Sequence, residues 1–173
     1  MTEPQASDPA RPRYTATPFP PYRFVPGRYP HPRRNPLGHS YGRPEPQLEP
    51  FSPEAWPQAE GYLYGIDLYN YAYWWECHEV FESFWHAVGH KTEQGNFFQA
   101  LIQLAAANLK HVVGDIQAAD NLTRRGLVRL DTVPDFYMGV DVRGLSEEIR
   151  RHGIGPAKRP VLIRLTNPIN PLE

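Results

Sequence analysis

Fifteen of the twenty prolines in this 173-residue chain precede residue 58, and none lies between Pro57 and Pro134. A proline about every fourth residue forbids a lasting helix, because each ring removes an amide donor and clashes with the turn before it. Residues 18–57 therefore read as an extended, polyproline-type arm, and 58–155 as the span free to form helices. Residues 1–17 read as a disordered, solvated tail. Residues 18–43 differ from that tail, since Phe19, Tyr22, Phe24, Val25, Tyr29, Leu37 and Tyr41 are too many large apolar groups for a segment that prefers water. Their prolines also lower the entropy lost on ordering. This stretch is expected to pack on the rest of the chain, with binding to a proline-recognising module as its competing use.

Charge follows the same division. Residues 1–57 carry seven Arg, no Lys and five acids, a net +2, against −3 for the remainder. A near-neutral total disfavours a nucleic-acid binder that works through bulk positive charge, although Arg11, Arg13, Arg23, Arg28, Arg33, Arg34 and Arg43 with their interleaved tyrosines leave a local contact open. The single cysteine excludes an internal disulfide framework and fits a reducing compartment. No apolar run is long enough to span a bilayer, and MTEPQASDPA lacks the basic-then-apolar order of a signal peptide. A cytoplasmic protein without membrane association is expected, and a homo-oligomer is left open.

Between Pro57 and Pro134 apolar residues recur at helical spacing. Helices are predicted over Ala59–Tyr69, Tyr73–Val88, Glu93–Val113, Ile116–Leu130 and Leu145–His152. Asn70 marks a break, and Gly114–Asp115 a stop followed by a new N-cap. Short connections make successive helices antiparallel neighbours, so the fold class is all-α, a small bundle of about five helices carrying the arm. Residues 156–173 read as an extended C-terminal tail that the pattern does not place.

The second helix has two unlike faces. Cys77, Val80, Phe81, Phe84 and Val88 form a core stripe. Opposite them fall Trp75, His78, Glu79, Glu82, Trp85 and His86, and two tryptophans among charges point to a helix covered on both sides. The third helix is apolar almost all round, with Asn96, Gln99, Gln103 and Lys110 on one stripe. Buried polar groups need partners, and the nearest are those of the preceding antiparallel helix. We therefore expect His78, Glu79 and Glu82 to face Gln99, Gln103 and Lys110 across one interface, in a polar pocket walled by Trp75 and Trp85.

His78, Glu79 and Glu82 project to one side of a helix, a set that a divalent metal can use. HExxE lacks the second His of a zincin site, so the missing ligands would have to come from His31 or His39 on the arm, or from His111. The same set could act in general acid–base catalysis or bind a small molecule, with Glu79, Glu82 and His78 as the catalytic candidates. It could also be a hydrogen-bond network that only specifies packing in a non-enzymatic scaffold. Cys77 falls on the apolar face, Ser83 has no triad context, and phosphate-loop, dinucleotide and paired-Cys motifs are absent. Whether the chain is an enzyme is not decided by these residues.

Through WWECHEVFESFW followed by FFQALIQLAAANLK, the chain resembles the domain of unknown function 309 family. On its pattern fall Glu76, His78, Glu79, Glu82 and Trp85, then Gln99, Leu101, Ile102, Gln103, Leu104, Ala105 and Ala106, with Cys77 where the family usually has Ala and Ala100 where it has Gly. The resemblance covers about residues 62–130. It implies a compact all-α domain and no reaction.

An arm packed on the bundle should resist trypsin between Arg23 and Arg34. Cleavage there as fast as in denatured protein would show a loose tail instead.

Overall fold

A computed structural model describes residues 11–155 and 161–166. The five helices are α1 (Glu60–Asn70), α2 (Trp74–Val88), α3 (Glu93–Val112), α4 (Ile116–Leu130) and α5 (Val142–His152), preceded by a 3-10 turn over Pro53–Gln58. A two-stranded antiparallel hairpin, β1 (Phe136–Tyr137) and β2 (Val140–Asp141), joins α4 to α5. Met138 and Gly139 form its two-residue turn with φ of 46° and 80°, the positive values that such a tight hairpin requires. The architecture is the expected all-α bundle, with the hairpin as an unforeseen addition.

The helix starts have local causes. Thr92 accepts a hydrogen bond from the Gly95 amide, and Asp115 from that of Ala118, each satisfying an otherwise orphaned donor. Asp141 does the same for Gly144, so α5 begins three residues before the predicted Leu145.

Helix α3 is the centre, sandwiched between α2 and α4. Phe81 and Phe84 of α2 meet the Phe98 ring at centroid distances of 5.9 and 5.2 Å. On the other flank, Gly126 of α4 lets Leu104 and the Ala100 carbonyl approach its Cα closely. Tyr62 of α1 is fully buried, and its hydroxyl donates to the Met138 carbonyl at 2.9 Å, tying the hairpin to the core.

The arm lies on α1 and α2. Its prolines leave carbonyls without matching amides, and tyrosine hydroxyls supply donors: Tyr64 to Pro18 at 2.9 Å, Tyr73 to Pro20 at 3.2 Å and Tyr22 to Pro30 at 2.8 Å. Phe19 stacks on Tyr73 at 4.9 Å, with the Arg13 guanidinium 4.0 Å above its ring. Residues 11–17, expected in a solvated tail, instead form the arm's first anchor. Asp67 of α1 is completely buried and accepts from the amides of Tyr14 and Thr15 at 2.7 and 2.8 Å and from the Thr15 hydroxyl. Burial pushes the Asp67 carboxyl above its ordinary value, and these arm donors pull it back. Residues 1–10 of the proposed tail lie outside the described residues.

Of the expected C-terminal tail, residues 161–166 are described and the rest lie outside the described residues. Residues 161–166 are held by Asn70, by the Tyr14 hydroxyl, which accepts from the Leu165 amide, and by the Gly139 carbonyl, which accepts from the Thr166 amide. Asn70 donates to the Ile163 carbonyl and accepts from the Ile163 amide, both at 2.8 Å, which mimics a strand partner. Ile163 is fully buried, and Leu165 bridges to Val140. The residue read as a helix breaker is thus also a clamp.

Replacing Asp67 with Ala strands two arm amides and should cost about 1–3 kcal/mol in denaturant unfolding. An unchanged midpoint would show that the first anchor contributes nothing.

Candidate functional site

Helix α2 is covered on both sides, as its faces foretold, but the partners differ from those expected. Cys77, Phe81 and Phe84 are buried against the bundle. Burial pushes the Cys77 thiol well up, which suits a core residue and not a nucleophile. The polar face meets the arm. Glu76, 5% exposed, accepts from the Phe24 amide at 3.0 Å and pairs with His39 Nε2 at 2.9 Å. His39 Nδ1 meets the Ser40 hydroxyl at 2.8 Å, so both ring nitrogens are engaged. Two turns on, Ser83 accepts from the Leu48 amide and donates to the Pro46 carbonyl.

The arm loop that delivers these groups is tightly folded. The Asn35 amide donates to the His31 carbonyl and Ser40 to that of Pro32. A Cβ on Gly38 would collide with the backbone carbonyls of both His31 and Pro32, so only glycine fits there. From this loop Arg33 reaches α2, its Nε donating to Glu79 Oε2 at 3.1 Å.

Beside that contact lies the cluster of His78, Glu79 and Glu82. His78 Nδ1 stands 3.7 Å from Glu79 Oε1 and 3.8 Å from Glu82 Oε2. These separations are too long for hydrogen bonds, yet Nδ1 is buried and has no hydrogen-bond partner. The two carboxylates are arranged alike. Each turns one oxygen toward His78 and the other toward an outer cationic or imidazole group, Arg33 for Glu79 and His86, at 4.0 Å, for Glu82. His86 Nδ1 in turn meets His90 Nε2 at 2.8 Å, and His90 stacks on Trp85 at 3.7 Å. Desolvation would raise the Glu79 carboxyl, but His78 and Arg33 outweigh it and hold the group below its ordinary value. At 3.7 Å His78 acts on Glu79 through space and not through a hydrogen bond.

One ligand atom from each of His78, Glu79 and Glu82 can be chosen so that all lie within 4.8 Å of one another. Two atoms each about 2.1 Å from a tetrahedral ion are about 3.4 Å apart, close to the 3.7 and 3.8 Å seen here. The donor set of one imidazole and two carboxylates suits Zn²⁺, Mn²⁺ or Fe²⁺. The side chains are 32, 20 and 40% exposed, so solvent reaches the cluster.

Other expected members are elsewhere. His31 packs edge-on against Trp75, and its Nδ1 accepts from the amides of Arg33 and Arg34, which leaves that nitrogen no role as a ligand. His39 belongs to Glu76, and His111 lies against Gly155. Trp75 and Trp85 do not wall one pocket. They are ten residues and about 15 Å apart along the helix, one beneath the arm loop and the other against His90.

The polar stripe of α3 does not face α2 either. Gln103 lines a groove with Arg124, Arg125 and Arg129 of α4, Asn96 accepts from Arg129 at 2.8 Å, and Lys110 pairs with Asp115 at the surface. The reason is angular. Leu101, in the buried core, is two residues or about 200° from Gln103, and the apolar faces of α2 and α3 pack together at the expense of a polar interface. Gln99 is partly buried on the same stripe. Glu76, named above on the family pattern, and Arg33, named among the arm arginines, were not expected at this site. Glu76 had a signal in the WECHE motif, whereas nothing local marks Arg33 among seven arm arginines. His86 and His90 extend the i, i+4 series of His78 and Glu82 and were legible that way.

The molecule is thus a helical bundle whose second helix presents a His/Glu cluster beneath an extended arm. The sequence model of the family described as Domain of unknown function (DUF309) matches residues 62–122, from α1 into α4, and the arm and α5 lie outside the matched residues. No curated protein and no solved structure matches the chain. No helix among the described residues is long and apolar enough to cross a membrane.

A carboxyl held below its ordinary value stabilises the fold above the unfolded value, 4.5, and the contribution disappears as pH falls through the lowered one. Acidification past that value should therefore loosen the Arg33 loop, seen as faster cleavage of the loop by pepsin, which works at acid pH, or as a change in tryptophan fluorescence. In Glu79→Gln this step should be missing from the acid titration, and its persistence there would assign it to another group.

Proposed function

We propose that the protein binds a divalent transition-metal ion through His78, Glu79 and Glu82, at a site between α2 and the arm. The observation that carries this reading is His78 Nδ1, buried, without a hydrogen-bond partner and set between two carboxylate oxygens at ligand-like separation. A buried ring nitrogen left in this state costs about 1–3 kcal/mol, which a bound ion would offset. Three protein ligands leave further coordination positions for water or a small molecule, the feature that separates a reactive centre from a closed structural one. Arg33 would act on Glu79 from outside, fixing which oxygen turns inward.

A second reading comes from the same contact. Arg33 on Glu79 and His39 on Glu76 are what hold the arm loop to α2, and a cluster serving only that purpose would need no ion. Calorimetric titration of untagged, chelator-treated protein with Zn²⁺ and Mn²⁺ separates the two. The metal reading expects about one equivalent of one ion with Kd in the micromolar range or below. It expects loss of that binding in His78→Ala and Glu82→Gln, with Arg33→Ala weakened only. No uptake by the wild type, or uptake unchanged in both ligand variants, would leave the docking reading in its place.

A further inference from the structure

The α3–α4 groove lies on the flank of α3 away from α2, and nothing in the reading above uses it. Its volume is about 560 Å³, within the range of small-molecule sites. Asn96 and Gln103 of α3 and Arg124, Arg125, Val128 and Arg129 of α4 line it, and no carboxylate does. Three guanidiniums within two turns repel one another, and none of them has a carboxylate within 4 Å among the described residues. By contrast Arg143 and Arg150 of neighbouring α5 are paired with Glu147 and Asp131. Arg129 is held in place by Asn96 Oδ1 at 2.8 Å, whereas Arg124 reaches only Asn121 at 3.3 Å and Arg125 is exposed.

An independent observation comes from α3. Gln103 is 9% exposed, and its Oε1 is buried with no hydrogen-bond partner. Rotation of this carboxamide exchanges its oxygen and nitrogen, so whichever atom faces the groove offers one hydrogen bond, which a hydroxyl, being donor and acceptor at once, can take from either. The guanidiniums ask for an oxyanion with several acceptor oxygens, and three of them together favour the higher charge and three non-bridging oxygens of a phosphate monoester over a carboxylate. Val128, 60% exposed, leaves an apolar edge for the carbon skeleton between the two.

We propose that this groove binds a small organic phosphate whose carbon skeleton carries hydroxyl groups, the phosphate held by Arg124, Arg125 and Arg129 and a hydroxyl by Gln103. The site is separate from the cluster on α2, so its test is run with chelator present. Calorimetry would compare glucose 6-phosphate, ribose 5-phosphate and glycerol 3-phosphate with inorganic phosphate and with glucose at matched ionic strength. At least one of the phosphate esters should bind about tenfold or more tightly than inorganic phosphate, with glucose silent. The double variant Arg124→Ala/Arg125→Ala, both surface positions, should lose at least about tenfold for that ester. Gln103→Leu, checked for an intact fold by circular dichroism, should bring the ester down to the level of inorganic phosphate. The proposal is overturned if none of the three esters binds at about 10 mM, if inorganic phosphate binds as well as the best ester, or if the double arginine variant binds like the wild type.

Discussion

A proline-rich segment is rich in carbonyl acceptors and poor in amide donors, so it cannot satisfy itself by forming regular structure. Whatever surface it lies on must supply the donors. In this protein they come from tyrosines of α1 and of the α1–α2 junction, and from Tyr22 within the arm itself. Where the arm does have free amides, at Tyr14, Thr15 and Phe24, buried carboxylates of the bundle accept them. The two exchanges are complementary, and together they fix the arm's course over α1 and α2.

That course determines the chemistry of α2. Without the arm, Glu76 would be an unpaired carboxylate on a helix face and Glu79 an ordinary surface acid. With it, Glu76 is sealed against His39 and Phe24, and Glu79 has one oxygen assigned to Arg33. The other Glu79 oxygen and one from Glu82 are left beside His78. The same carboxylates thus serve attachment and site geometry, and a disturbance at Gly38, which shapes the arm loop, would reach the cluster through Arg33.

Helix α3 separates two polar regions of opposite sign. On the α2 side lies the carboxylate-rich cluster, on the α4 side a carboxylate-free groove with three arginines. The apolar body of α3 fills the space between them, and its Asn96 and Gln103 lie where α4 leaves them room. A near-neutral chain therefore carries two local fields suited to a cation and to an anion.

Hydrophobic spacing was sufficient to locate all five helices and the core stripe of α2, because those features depend on a period of 3.6 residues and on caps such as Asp115. Proline content marked a non-helical segment but not its start, since residues 11–17 read as a solvated tail and yet dock on Asp67, and the i, i+3 and i+4 spacing of His78, Glu79 and Glu82 brought them together on one helix. Which neighbour each polar face meets was decided only in three dimensions. Gln103 turned to α4 because the apolar faces of α2 and α3 claimed one another, and His39 went to Glu76 because a folded arm loop carries it there. Asn70 likewise captured Ile163 from 93 residues away. Local sequence governs backbone periodicity and which groups share a face, whereas pairing across the chain depends on the competition of all faces for burial, which no single segment contains.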